Sequence, residues 1–123
     1  AKTVRGKILL VEDNAANAMI TQDYLEVCGY QVRVVHDGGE VISKIMEVIP
    51  DIILMDIQMP TVNGFEVTRR LRADPQFATV PIIAVTAFAM PGDRERCLEA
   101  GMNEYLSKPV KLKELQQMIE LFI

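Results

Sequence analysis

Short, continuous apolar runs alternate along this chain with longer stretches in which apolar residues recur every three or four positions. Ile8-Leu9-Leu10-Val11 and Ile52-Ile53-Leu54-Met55 have the length and composition of strands buried on both faces. Gln31 to Val35 is rich in β-branched residues and reads as a further strand. Val80 to Val85 reads as a fourth, with Pro81 near its start, where a missing N–H is tolerated. Glu104 to Ser107 is a short fifth. Between them the period changes. Asn14 to Cys28 suits a helix, with Asp13 or Asn14 as its cap and Gly29 as its stop. Val41, Ile45 and Val48 lie at helical spacing, with Ile42, Met46 and Ile49 beside them. Residues 64 to 72 suit a short helix, Asp93 to Ala100 a helix closed by Gly101, and Leu112, Leu115, Ile119 and Phe122 form the stripe of a last helix.

Five strands in strict alternation with five helices predict a parallel sheet covered on both faces. The expected fold is α/β: a doubly wound (βα)5 sheet of order 2-1-3-4-5, the flavodoxin-like arrangement. At 123 residues the chain has room for one such domain, spanning 1–123.

Polar residues follow the apolar runs at one end. Glu12 and Asp13 follow the first strand, Asp56 the third, Thr86 the fourth, and Lys108-Pro109 the fifth. In an open parallel sheet, ligands bind beyond the carboxyl ends of the strands, where the strand order reverses. For order 2-1-3-4-5 that point lies between strands 1 and 3, the two that end in acids. Glu12, Asp13 and Asp56 are therefore expected in one shallow pocket, with Thr86 and Lys108 on its other side. Three gathered carboxylates repel one another. A hard divalent cation with oxygen ligands relieves that repulsion, and Mg²⁺ is the physiological candidate. An aspartate beside a metal and a lysine is suited to act as a nucleophile towards phosphorus.

Composition narrows the function classes. Hydrophobic residues make up 50% of the chain, enough for a sizeable core, and the net charge of -4 argues against direct nucleic-acid binding. No apolar stretch is long enough to cross a membrane. No secretory leader pattern opens the chain, so a cytoplasmic location is expected. Opening on Ala1 rather than Met is consistent with a segment of a longer protein. Cys28 and Cys97 are far apart and read as two reduced thiols. His36, beside Asp37 and Gly38, reads as an exposed loop histidine, and Met59 and the other methionines as core or loop packing.

The blocks ILLVEDN, ILMDIQMPTVNG, PIIAVTA and EYLSKP, in this order and spacing, resemble the receiver domain of two-component response regulators over essentially the whole chain. The resemblance implies that Asp56 is the phosphoacceptor. It implies that Glu12, Asp13, Asp56 and the backbone carbonyl of Gln58 hold Mg²⁺. Thr86 would be the switch hydroxyl, Lys108 the lysine that contacts the phosphoryl group, and Tyr105 an aromatic that turns inward on phosphorylation. Pro109 would follow a cis peptide bond, and Gly64 would let the loop after the third strand turn. The partner would be a histidine kinase or a histidine phosphotransfer domain, and the signal would leave through the fourth helix, fifth strand and fifth helix. The stretch TAFAMPGDRERCLEAGMNEYLSKP is similar to receivers of hybrid sensor histidine kinases, so a fused kinase or output domain is admitted. A bulky Phe88 would shield an acyl phosphate from water.

Other readings are weaker. Glu12 and Asp13 could merely cap a helix, and Tyr105 could simply be half-buried. A phosphatase of the haloacid dehalogenase type needs a second aspartate where this chain has Gln58. A receiver-like binding module that is never phosphorylated is disfavoured by the complete residue set. A nucleotide-binding GxxxxGK[ST] loop is absent, and Glu12-Asp13-Asn14 would repel a flavin phosphate. The chain is thus expected to be a signalling domain rather than a true enzyme.

Overall fold

The computed structural model describes residues 5–57, 63–87 and 92–123. The described elements alternate without exception: β1 (Lys7–Val11), α1 (Ala15–Val27), β2 (Gln31–Val35), α2 (Gly38–Val48), β3 (Ile52–Asp56), α3 (Gly64–Ala73), β4 (Ile82–Thr86), α4 (Asp93–Ala100), β5 (Glu104–Ser107) and α5 (Leu112–Phe122). The strands form one parallel sheet of order β2-β1-β3-β4-β5. This is the doubly wound, flavodoxin-like arrangement that the alternation predicts.

Period-two alternation divides the sheet's side chains between two cores. Leu9, Val11, Ile53, Met55, Ile82 and Ala84 point to the face covered by α2, α3 and α4. Ile8, Leu10, Ile52, Leu54 and Ile83 point to the face covered by α1 and α5, through Ala18, Leu25, Leu115 and Ile119. Because β1 and β3 are buried on both sides, every position in them from Ile8 and Ile52 onward is apolar up to the polar strand ends.

Helix starts follow local chemistry. Asn14, rather than Asp13, caps α1, its side chain accepting from the Asn17 amide at 3.0 Å. Asp37 and Asn63 do the same for α2 and α3. The fourth strand begins at Ile82, two residues later than its apolar run suggests. Pro81 stays outside it, but its carbonyl still accepts from the Ile53 amide at 2.9 Å. Strands β3 and β4 each extend to include the polar residue expected just beyond them, Asp56 and Thr86. The methionines divide. Met55 and Met102 are in the core, whereas Met19 and Met46 are exposed on α1 and α2, contrary to the packing role expected of them. Both lie on outward faces of their helices, which their apolar character alone does not disclose.

One residue carries backbone strain. Ile49 ends α2 with φ 47 and ψ 66, the left-handed region that a β-branched side chain disfavours. Its side chain is 46% exposed, so little packing offsets the cost. Ile49→Gly should therefore raise unfolding stability in urea by about 1 kcal/mol, while Ile49→Ala, which removes the same side chain but keeps a Cβ, should not.

Candidate functional site

Residues Glu12, Asp56 and Lys108 follow the same parity as Leu10, Leu54 and Leu106, so all three project at the α1/α5 side of the sheet's carboxyl edge. Val11 pairs with Met55, which sets Glu12 level with Asp56 across the β1–β3 boundary. Carboxylate oxygens of Glu12, Asp13 and Asp56 lie within 4.8 Å of one another. Glu12 and Asp56 are each only 5% exposed, and Asp13 lies at the surface.

Lys108 closes this cluster. Its Nζ donates to Glu12 Oε1 at 2.9 Å and Oε2 at 3.1 Å, and to Asp56 Oδ2 at 3.1 Å. Its own amide donates to the Thr86 carbonyl at 2.7 Å, and the Lys108–Pro109 peptide is cis. Burial pushes the Asp56 carboxyl up to about 6, the neighbouring Glu12 carboxylate adds to the rise, and Lys108 pulls against both. Burial also opposes the charge on Lys108, but its bonds to Glu12 and Asp56 outweigh this and hold its pKa above the ordinary value.

Two further residues support Glu12. The Asn17 Nδ2 donates to Glu12 Oε1 at 3.4 Å from the first turn of α1. His36 Nδ1 lies 3.1 Å from the Glu12 backbone carbonyl, so that nitrogen carries the proton and donates. His36 is exposed, as expected of a loop residue, but its ring is anchored. Neither contact is visible in residue spacing alone. The β1–β2 register, with Val11 opposite Val35, is what brings His36 beside Glu12.

Thr86 is buried at the end of β4 and paired with Ser107. It has the parity of Ile82 and Ala84, so it belongs to the opposite face from Asp56. Tyr105, opposite Ala84, is half-buried against that same face. Gly64 is the first residue of α3; its amide donates to the Ile57 carbonyl at 3.0 Å, and a Cβ there would come within 3.1 Å of the Asp56 carbonyl oxygen and 3.0 Å of Ile57 Cα. Gln58, Met59 and Phe88 lie outside the described residues. Cys28 and Cys97 are both free thiols, as their separation suggests.

Residues 8–120 match the family of the response regulator receiver domain. The chain belongs to that family. Receiver domains are signalling domains of two-component systems, and relatives match over nearly their whole length. The polar-differentiation response regulator DivK of Brucella anthropi is 40% identical over 116 residues, 94% of either chain. The receiver domain of the sensor histidine kinase PA1611 of Pseudomonas aeruginosa superposes with a TM-score of 0.87 at 44% identity, covering 95% of this chain and 96% of that one. Its crystal structure holds a magnesium ion coordinated in the active-site cleft. The chemotaxis response regulator CheY4 of Vibrio cholerae gives a TM-score of 0.91 at 26% identity, over 98% of this chain and all of that one. Among the described residues of this receiver, no helix is long and apolar enough to cross a membrane.

The metal-free site is electrostatically strained, and the sign of its pH dependence follows. Asp56 releases its proton near 3.8 when unfolded but near 6 in the fold, so stability present below about pH 4 is lost as pH rises to about 6. Asp56→Asn should therefore stabilise the metal-free receiver by about 1–3 kcal/mol at pH 7.5 and give no gain near pH 4, measured by urea unfolding. Lys108→Met should act in the opposite direction at pH 7.5, costing about 2 kcal/mol, because it removes the ammonium bonded to two buried carboxylates.

Proposed function

We propose that this receiver accepts a phosphoryl group on Asp56 from the phosphohistidine of a histidine kinase or histidine phosphotransfer domain, in a reaction that requires Mg²⁺. The observation that carries the reading is the convergence of Glu12, Asp13 and Asp56 around one point, with Lys108 bonded to two of them. The donor set fits a hard cation: oxygen only, mostly buried, and carrying more negative charge than one ammonium balances. Glu12, Asp13, Asp56 and the carbonyl of Gln58 are its proposed ligands. Bound Mg²⁺ would neutralise these acids and stabilise charge on the oxygens of the transferring group.

A carboxylate oxygen of Asp56 attacks phosphorus. The new O–P bond forms as the P–N bond to the imidazole breaks, and the leaving nitrogen keeps the bonding pair and takes up a proton. No general base is needed, because the nucleophile reacts as the carboxylate. Lys108, already 3.1 Å from Asp56 Oδ2, turns its ammonium to the incoming oxygens. Bound Mg²⁺ would replace the charge that Lys108 withdraws from Glu12.

The product is a switch. A phosphoryl group adds about 1.5–2 negative charges and three strong acceptors. Hydrogen bonds from Lys108 and the Thr86 hydroxyl are worth about 1.5–3 kcal/mol each. Reversing a two-state equilibrium from about 1:99 to 99:1 takes about 5.5 kcal/mol, so the pair is of the right size. Thr86 and Tyr105 share the sheet face packed by α4, so movement of Thr86 towards Asp56 opens space that Tyr105 can enter. The signal leaves through α4, β5 and α5.

Incubation with acetyl phosphate and Mg²⁺ should add a single phosphoryl group by intact mass, absent in Asp56→Asn and absent with EDTA; labelling of Asp56→Asn at the wild-type rate would sink the proposal. Thr86→Val should still be labelled, but the amide shifts across residues 93–107 on phosphorylation should shrink to less than about half of the wild-type change.

A further inference from the structure

Glu12 lies one residue past β1, where the strand has ended, yet its main chain is held on both sides. The Glu12 amide continues the ladder to β2, donating to the Val35 carbonyl at 3.0 Å. The next acceptor along, the Glu12 carbonyl, is met by a side chain: His36 Nδ1 stands 3.1 Å away and donates its proton. That carbonyl belongs to the planar peptide joining Glu12 to Asp13. Its direction therefore fixes how the two acids are set relative to each other. Beyond Asp13 the chain enters α1, where Asn14 accepts from the Asn17 amide at 3.0 Å. The His36 ring is itself anchored. The His36 amide donates to Glu40 Oε2 at 3.1 Å, and the Glu40 amide donates to Asp37 Oδ1 at 3.0 Å, which ties the chain on either side of the ring's residue to the first turn of α2.

We infer that His36 is a positioning residue for the cation site: through the Glu12 carbonyl it holds the carboxylates of Glu12 and Asp13 in the arrangement that binds Mg²⁺. The inference rests on the metal binding proposed above, and gives part of the affinity to a residue that is not itself a ligand. A hydrogen bond one layer out from a metal ligand is typically worth about 10–100-fold in metal affinity. His36 is exposed, and water competes for its bond, so the effect here belongs at or below the low end of that range. Asn and Gln separate positioning from mere filling of the turn. An Asn Nδ2 takes the place of His Nδ1, whereas a Gln Nε2 takes that of the outer ring nitrogen.

The test is a titration of the ¹⁵N-labelled receiver with Mg²⁺, the amide shifts of residues 12–14 and 56 giving the dissociation constant. His36→Gln should weaken Mg²⁺ binding about three- to tenfold, and His36→Asn should stay within about twofold of wild type. Labelling of His36→Gln by acetyl phosphate should slow at limiting Mg²⁺ and regain the wild-type rate at saturating Mg²⁺, because no group that touches phosphorus has changed. The chain has a single histidine, so long-range ¹H–¹⁵N spectra of the metal-free protein at about pH 8 read its tautomer directly, and Nδ1 should carry the proton. Equal Mg²⁺ affinity in wild type and His36→Gln, equal losses in His36→Asn and His36→Gln, or a proton on Nε2 in place of Nδ1 would each overturn the inference and leave the metal reading intact. A wild-type receiver that binds no Mg²⁺ would overturn both.

Discussion

A single ammonium holds the carboxyl edge of this sheet together. Glu12 and Asp56 are buried side by side, and two adjacent carboxylates shielded from water are costly unless something opposes their charge. Lys108 does so from the far side of the molecule in sequence, 96 residues from Glu12 and 52 from Asp56. The Lys108 amide bonded to the Thr86 carbonyl and the packing of β5 on β4 both serve to place that one nitrogen. Burial is the main reason the Asp56 carboxyl stays raised, and the neighbouring Glu12 adds to it.

The two faces of the sheet divide the labour. Glu12, Asp56 and Lys108 share the α1/α5 face, where the chemistry lies. Thr86 and Tyr105 share the face of α2, α3 and α4. In the proposed function, a side chain that reaches from one face to the other at the strand ends would link Asp56 to α4. The division is a direct consequence of period-two alternation in strands only four or five residues long.

The other end of α4 is held firmly. Arg72 donates to the Gly101 carbonyl at 2.8 Å, the Phe77 carbonyl at 3.0 Å and Asn103 Oδ1 at 2.8 Å. Gly101 has φ 109, and a Cβ there would lie 2.8 Å from Arg72 Cγ, so glycine is required on both counts. Asn103 Oδ1 also accepts from the Ile82 amide, which ties the same knot to the start of β4. By contrast, Gly92 stands at the N-cap of α4, where no side chain accepts from the first turn.

The order of elements, the sheet class and the identity of the acidic and basic residues at the strand ends were all legible in the chain, because β1 and β3 are apolar without interruption until Glu12 and Asp56 end them. Strand limits were legible only to within a residue or two: Asp56 and Thr86 are paired in the sheet despite their polarity, and Val80 is not, despite its apolar side chain. What the residues could not disclose is distance. Nothing local says that Lys108 bonds both acids, that Asn17 and His36 brace Glu12, or that Gly64 is needed because α3 starts against the Asp56 carbonyl. Those facts come from strand register and helix packing, which set side chains within about 3 Å of one another across dozens of residues of chain. Alternation and composition determine which residues arrive at the edge of the sheet; only the tertiary structure decides which of them touch, because hydrogen bonds and charges act through space and not along the backbone.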